Sequence, residues 1–300
     1  MSGVVALAVV AGAFFVGRTS APDASAASSS ASTPVTFSAF YLDVGASESL
    51  GFQPTGVTGH NGARTNTGYA NSLVFREAIK GVALDLEQIG CPGDTVQSLL
   101  TTKVSDACYQ APNNQLTKAT SYLQAHQADP GLVTVDLGFN NVRLCLEAHP
   151  VNESCLDQGI AAVENDLPKI LKTLKSSAGP KVHFVGLEYS DPYLGYFLDG
   201  PNGPADATET LDGIDQLNTV LVKIYTNAGV AVANVPSLFQ TDNTVRTTMD
   251  NVGSIPVNVQ QACLLSWFCE SAPFGPDDHP NNAGYSLIAA AIEAVLPKSW

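Results

Sequence analysis

Short apolar runs alternate with longer segments of helical hydrophobic spacing along most of the chain. The apolar runs are rich in β-branched and aromatic residues, which favours strands. We predict five strands, over residues 37–44, 82–89, 132–137, 181–187 and 230–235. Because strands that alternate with helices form parallel βαβ units, this pattern restricts the chain to a small set of α/β architectures.

The segments between these runs carry apolar side chains three and four residues apart, the spacing of one helix face. The clearest covers residues 158–176, where Pro168 is a candidate kink. Helices are also predicted over 116–126 and 208–227, and a last one follows Asn282, a good N-cap residue. The predicted fold is a three-layer α/β/α sandwich of flavodoxin-like type, with a central parallel sheet of about five strands. Such sheets bind ligands at the carboxyl ends of their strands.

Three short motifs follow predicted strands, and a fourth precedes the last helix. They are Gly45-Ala46-Ser47, Cys91-Pro92-Gly93-Asp94-Thr95, Gly138-Phe139-Asn140-Asn141 and Asp277-Asp278-His279-Pro280-Asn281. A serine at a strand end can present its hydroxyl, a turn glycine and an asparagine amide can donate to an oxyanion, and a histidine beside carboxylates can act as a base. Taken singly, each motif is better explained without chemistry, as a turn serine, a disulfide-bearing loop, an Asx turn and a solvated acidic turn.

Together the four motifs place serine, glycine, asparagine and histidine in a fixed order along the predicted domain. This order resembles the four blocks of the SGNH (GDSL) hydrolase superfamily, and the similarity spans residues 35–296. Secreted actinobacterial members are the nearest look-alikes. They share the C-P-G turn and its partner cysteine, here Cys108, ahead of an apolar helix that begins near Gln115.

The resemblance implies a serine hydrolase with the SGNH fold. Ser47 would be the nucleophile, and its backbone N–H would share an oxyanion hole with the Gly93 N–H and the Asn140 side-chain amide. His279 would be the general base that later protonates the leaving alcohol, with an acyl-enzyme on Ser47 that water hydrolyses. The family's G-D-S is G-A-S here, with Ala46 in place of an aspartate that supports the loop rather than attacking the substrate.

The acid of the implied catalytic triad departs from the family pattern. The family usually places an aspartate three residues before the histidine, and that position is Pro276 here. Asp277 is the candidate, because the side chain of Asp278 adjoins His279 and is less well placed to point at the same imidazole. A Ser–His dyad oriented by a backbone carbonyl, which occurs in relatives, is the alternative.

A long aromatic loop, residues 188–203, follows the fourth predicted strand. Its Tyr189, Tyr193 and Tyr196 are candidates to line an acyl or aromatic pocket, and Phe139 is a candidate to flank the leaving group. The alternative is that the rings of this loop cover a sheet edge.

The N-terminus indicates export. An unbroken apolar run covers residues 4–16, well short of the roughly 20 residues of a membrane-spanning helix, and Ala24-Ser25-Ala26 is a plausible cleavage site. We predict a signal peptide at residues 1–26, a flexible Ala/Ser-rich leader at 27–34 and one hydrolase domain at 35–300. No basic residue precedes the apolar run, so an uncleaved anchor is the alternative.

Six cysteines fall in three close pairs, which in an exported chain indicates disulfides. We predict sequential pairing because short loops close most easily. The pairs are Cys91 with Cys108, Cys145 with Cys155, and Cys263 with Cys269. Since the chain contains no C-x-x-C and no Cys/His cluster at ligand spacing, we predict no metal site.

The charge composition excludes several partners. The chain carries 28 acidic and 14 basic residues, a formal net charge of −14, whereas nucleic acids and anionic membranes attract clustered basic residues. We expect no cofactor, and a Gly-rich phosphate loop is absent. The export signals predict a secreted or cell-envelope protein that is not inserted in a membrane after cleavage, and we expect a monomer. The resemblance to the SGNH hydrolases implies that it hydrolyses carboxylic esters as a serine esterase or lipase. A carbohydrate O-acetyl esterase and a catalytically inactive SGNH-fold binding module are the alternatives.

Overall fold

The computed structural model describes residues 38–57, 62–101 and 108–298. The predicted signal peptide, its cleavage site, the leader and the first residues of the predicted domain lie outside the described residues. Among the residues described, no helix is both long and apolar enough to cross a membrane.

A five-stranded parallel sheet forms the centre of the fold, in the order β2-β1-β3-β4-β5. Its strands are β1 (Ala39–Gly45), β2 (Leu84–Gln88), β3 (Gly131–Asp136), β4 (Val182–Leu187) and β5 (Ala231–Ala233). Successive side chains of a strand point to opposite faces, so Phe40, Leu42 and Val44 enter one core and Ala39 and Tyr41 enter the other. Each predicted strand is present.

Helices cover both faces of the sheet. They are α1 (Tyr69–Ile79), α2 (Val96–Leu100), α3 (Gln115–Ala125), α4 (Phe139–Leu146), α5 (Glu153–Ser177), α6 (Gly203–Asn227), α7 (Val235–Phe239), α8 (Val257–Leu265) and α9 (Asn282–Val295). The apolar faces of α2 to α6 pack in one core, and those of α1, α7 and α9 pack in the other. The predicted three-layer α/β/α sandwich is thereby confirmed.

The structure also contains elements that the sequence did not predict. These are α1, α2, α4, α7, α8, a 3₁₀ helix over Pro192–Leu198, and a hairpin of β6 (Arg246–Met249) with β7 (Gly253–Pro256). The helices α2 and α7 span five residues each, too few to show a helical period. The N-cap of α9 is Asn281 rather than Asn282, because the Asn281 side chain accepts the Ala283 and Gly284 N–H groups.

Three disulfides brace the loops at the carboxyl edge of the sheet and near it. They join Cys91 to Cys108, Cys145 to Cys155, and Cys263 to Cys269, which is the sequential pairing. The first ties the loop after β2, the second links α4 to α5, and the third links α8 to the segment that leads toward His279.

Candidate active site

Ser47 lies just beyond the carboxyl end of β1, at the start of a 3₁₀ turn over Glu48–Leu50. The turn closes at Gly51, which adopts a left-handed conformation with φ of 61°. Gly45 before it is packed tightly, since a Cβ there would come within 2.8 to 2.9 Å of Asp136. Ser47 is therefore carried on a turn held closely against the neighbouring strand β3.

His279 contacts both Ser47 and a carboxylate. Its Nε2 lies 2.8 Å from the Ser47 Oγ, and its Nδ1 lies 2.8 Å from Asp277 Oδ1. Because a carboxylate only accepts hydrogen bonds, Nδ1 is the donor, and Nε2 is left to accept the serine hydroxyl proton. The Asp277 oxygen also accepts the His279 backbone N–H at 3.0 Å, which fixes the carboxylate beside the ring.

A second carboxylate stands beside the same imidazole nitrogen. Asp278 Oδ1 lies 3.3 Å from His279 Nδ1, although the sequence favoured Asp277 alone at this position. Burial lowers the pKa of His279, but the hydrogen bond to Asp277 and the charge of Asp278 outweigh it, so the pKa lies above its ordinary value. The imidazolium form is thus favoured by its surroundings, as a base that must accept a proton requires.

The predicted oxyanion donors line the same cleft as Ser47 and His279. Gly93 has a φ of 83°, and a Cβ built on it would meet no atom within 4 Å. The left-handed backbone conformation favours glycine at position 93, whereas a lack of space for a side chain does not require it. Asn140 lies in the first turn of α4, and its Nδ2 donates to the Asp94 carbonyl at 3.1 Å, which ties the two donor segments together.

Two buried glutamines, to which the sequence prediction gave no role, join the loops of the site through hydrogen bonds. Gln115 accepts the Gly45 N–H at 2.8 Å and donates to the Gly45 carbonyl at 2.9 Å and to Asp94 Oδ2 at 2.6 Å. It thereby joins the serine turn to the Gly93 loop. Gln53 donates to Asn282 Oδ1 at 2.9 Å and accepts from Trp267 Nε1 at 3.1 Å, which joins the segment after Ser47 to the histidine loop.

The cleft has a volume of about 710 Å³ and partly aromatic walls. Of the predicted lining residues, Phe139, Tyr193 and Tyr196 border it, and the structure adds Phe52, Phe268 and Phe274. Tyr189 does not line this cleft, but it lines a small cavity beside Ser47 together with Phe139 and Asn140. Its side chain is buried, and its hydroxyl donates to Asp136 Oδ1 at 2.6 Å.

Buried carboxyl groups lie beneath the serine turn. Burial raises the pKa of Asp43 to about 8 and that of Asp136 to about 6. Asp43 accepts hydrogen bonds from the Tyr69 and Thr134 hydroxyls, at 2.8 and 2.7 Å. Burial and the charges of Asp136 and Asp278 also raise the pKa of Glu48 well above its ordinary value. With a pKa of about 8, Asp43 is mostly protonated at neutral pH and adds little negative charge beneath the serine turn.

One group in the described part of the chain has the proximity of metal ligands, namely Asp277, Asp278 and His279. Both ring nitrogens of His279 are engaged, one by Asp277 and one by Ser47. This arrangement suits a proton relay better than a metal site, since a ligating histidine needs one nitrogen for the ion.

Comparison with known proteins identifies the family. The model of the GDSL-like lipase/acylhydrolase family matches residues 47–287, from the serine turn into the last helix. The chain belongs to this family. The family match confirms the resemblance drawn from the four motifs, and no curated protein matches the chain by sequence.

Solved structures with the same fold include lipases and esterases. An extracellular lipase from Streptomyces rimosus is 17% identical, with a TM-score of 0.55 over 86% of this chain and 100% of that chain. A phospholipase A1 from Streptomyces albidoflavus is 18% identical, with the same TM-score and coverage. An acetylxylan esterase from Geobacillus stearothermophilus is 14% identical, with a TM-score of 0.50 over 87% of this chain and 94% of that chain. At these identities the likeness establishes the fold.

Proposed function

We propose that this GDSL-family protein is a serine esterase or lipase that hydrolyses carboxylic esters through an acyl-enzyme on Ser47. The observation that carries the proposal is the continuous hydrogen-bonded series from Ser47 Oγ through the His279 ring to Asp277, with both bonds at 2.8 Å. A nucleophile, a base and an orienting acid within hydrogen-bond reach are the arrangement that activates a serine hydroxyl.

In the acylation step, the Ser47 Oγ attacks the ester carbonyl carbon while His279 Nε2 takes the hydroxyl proton. Asp277 stabilises the imidazolium that forms, and the second carboxylate, Asp278, adds to the local negative field. The tetrahedral oxyanion accepts hydrogen bonds from the backbone N–H groups of Ser47 and Gly93. An amide nitrogen carries two hydrogens, so Asn140 can hold the Asp94 carbonyl with one and offer the other to the oxyanion.

In the second half of the cycle, His279 returns its proton to the leaving alcohol and the acyl group stays on Ser47. Water then attacks the acyl carbon while His279 takes one of its protons. The bond from the acyl carbon to Ser47 Oγ breaks, His279 returns the proton to Ser47 Oγ, and the carboxylic acid is released. We propose that the cleft walls formed by Phe139, Tyr193 and Tyr196 contact the substrate, since these aromatic rings border the reacting serine.

We further propose that the protein acts outside the cytoplasm, after removal of residues 1–26, as one domain over residues 35–300. Three disulfides in one chain with no free cysteine among the described residues support an oxidising compartment. The test is expression of the full chain and measurement of the N-terminal peptide of the mature protein by mass spectrometry. Retention of residues 1–26 would indicate an uncleaved anchor instead.

The proposed activity is tested with p-nitrophenyl esters from acetate to palmitate, together with acetylated xylan and phospholipid. We expect wild-type turnover on at least one p-nitrophenyl ester and no turnover by Ser47→Ala. Activity confined to acetyl esters and acetylated xylan would reassign the protein as a carbohydrate O-acetyl esterase. The absence of turnover on every ester would refute the proposal in favour of a binding module.

A further inference from the structure

Asp278 is held from two sides. One oxygen, Oδ1, lies 3.3 Å from His279 Nδ1. The other, Oδ2, accepts a hydrogen bond from the Tyr193 hydroxyl at 3.2 Å and lies 3.6 Å from Arg143 Nη1. Arg143 also donates to Glu147 at 2.8 Å, and the Tyr193 hydroxyl lies 3.2 Å from the same Glu147 oxygen. The Asp278 carboxylate therefore bridges the imidazole and a polar cluster formed by Arg143, Glu147 and Tyr193.

The position of Asp278 creates a competition at His279. The single Nδ1 hydrogen can make one good hydrogen bond, and Asp277 takes it at 2.8 Å while Asp278 stays 0.5 Å further away. An unrestrained aspartate next to the histidine could turn toward that hydrogen and rotate the ring away from Ser47. Arg143 and the Tyr193 hydroxyl contact Asp278 through its other oxygen, Oδ2, and so draw the carboxylate away from the imidazole.

We propose that Arg143, assisted by the Tyr193 hydroxyl, is a positioning residue that holds Asp278 away from His279, so that Asp277 alone orients the imidazole toward Ser47. The proposal rests on the function proposed above and adds a residue from α4 to the site. Among the described residues that line the cleft, Arg143 is the only lysine or arginine, so its removal takes away the cation that opposes His279 at Asp278.

The charges around His279 determine whether removal of Arg143 raises or lowers the pKa of His279. Asp277 and Asp278 in its own loop, Arg143 in α4 and Asp136 at the end of β3 act on His279 electrostatically. The other titratable groups that line the same cleft are Glu48 after β1, Glu147 in α4 and Tyr193 in the 3₁₀ helix. Asp277 and Asp278 raise the pKa of His279, and the Arg143 guanidinium lowers it. Loss of Arg143 therefore removes an opposing cation and frees Asp278 to act on the ring, so the pKa rises.

The test is an NMR pH titration of the His279 ring nitrogens in the full chain, assigned by the signal missing in His279→Gln. We expect Arg143→Met to raise the His279 midpoint by about half a pH unit or more. Tyr193→Phe should give a smaller rise, Asp278→Asn should lower the midpoint, and Arg143→Lys should keep it near wild type. Arg64→Met is the matched control, because Arg64 is exposed, bonds to Gln88 and does not line the cleft.

The double variant Arg143→Met/Asp278→Asn separates the proposed route from a direct field effect. If Arg143 acts through Asp278, its removal in the Asp278→Asn background should move the midpoint by less than half of the shift seen alone. An equal shift in both backgrounds, or no shift in Arg143→Met, would overturn the proposal. If Arg143→Met fails to fold, the Tyr193→Phe and Asp278→Asn titrations still decide it, because shifts in the same direction would contradict it.

Kinetics add a readout that a substrate-contact role would not give. For Arg143→Met we expect the acidic limb of kcat/KM to move to higher pH and the plateau kcat to fall several-fold, with KM nearly unchanged. A raised KM with an unmoved limb would assign Arg143 to substrate binding and refute the positioning role. The NMR titration needs no turnover. If the protein shows no esterase activity, the proposed function is refuted, but the titration still decides whether Arg143 positions Asp278.

Discussion

Replacement of Asp277 by asparagine keeps the shape of the side chain and removes its charge, which isolates the electrostatic role of this residue. The asparagine oxygen can still accept the His279 Nδ1 hydrogen at 2.8 Å and the His279 backbone N–H at 3.0 Å. What is lost is the difference between a charge-assisted and a neutral hydrogen bond, about 1–2 kcal/mol. Because 1.36 kcal/mol corresponds to about tenfold in rate, kcat should fall roughly 5- to 30-fold.

Asp278→Asn is the matched comparison. Asp278 makes no hydrogen bond to the imidazole and shares its charge with Arg143 and Tyr193, so we expect a loss of no more than about threefold in kcat. The sign of the pH effect is also defined, because the bond to Asp277 raises the pKa of His279 and its loss lowers that pKa. The acidic limb of kcat/KM should therefore move to lower pH.

The assay is hydrolysis of a short p-nitrophenyl ester by both variants across the pH range, with kcat compared on the alkaline plateau where His279 is neutral in all three proteins. Circular dichroism and thermal unfolding establish that each variant is folded. A loss in Asp278→Asn equal to or larger than that in Asp277→Asn would refute the assignment of Asp277. Small and equal losses in both would favour a Ser–His dyad.

Three further predictions concern the supports of the site and the stability of the fold. Asn140→Ala removes one proposed oxyanion donor and should lower kcat by roughly 10²–10³ with little change in KM; a change confined to KM would contradict that role. Gln115→Leu removes the hydrogen bonds of Gln115 to the Gly45 backbone and to Asp94, so the unfolding free energy measured in urea should fall by about 1–3 kcal/mol, and an unchanged value would contradict the proposed bracing. Burial raises the pKa of Asp43 to about 8, above its value of about 3.9 in the unfolded chain, so this group makes the fold less stable as pH rises through that window, by at most about 1.4 kcal/mol per pH unit. Denaturant unfolding at pH 5 and pH 8 should show a smaller difference for Asp43→Asn than for wild type, and equal differences would contradict the linkage.

The central sheet was predictable because each strand carries its own signal. A run such as Leu132 to Leu137 is apolar and β-branched wherever it is read, and the structure has β3 at Gly131–Asp136. The four motifs could also be recognised from neighbouring residues, since each follows a predicted strand or precedes a predicted helix. By contrast, α2 and α7 span five residues and owe their conformation to the loops and caps around them.

The supporting contacts of the site could not be predicted because they join residues that are distant in sequence. Gln115 lies 70 positions from Gly45, and nothing in its surroundings along the chain marks it as a buried partner of the serine turn. The same holds for Arg143 and Asp278, which the fold brings within 3.6 Å. The hydrogen bond from the Tyr189 hydroxyl to Asp136 likewise joins residues that lie 53 positions apart.

The measurement that tests the central claim most directly is the site of covalent modification by a fluorophosphonate probe. The probe reacts with an activated serine and forms a stable phosphonyl ester, which peptide mass spectrometry locates. We predict a single adduct on Ser47 in the wild-type protein, no adduct in Ser47→Ala, and strongly slowed labelling in His279→Gln. An adduct on another residue, or no reaction in a folded wild-type protein, would contradict the assignment of Ser47 and His279 as nucleophile and base.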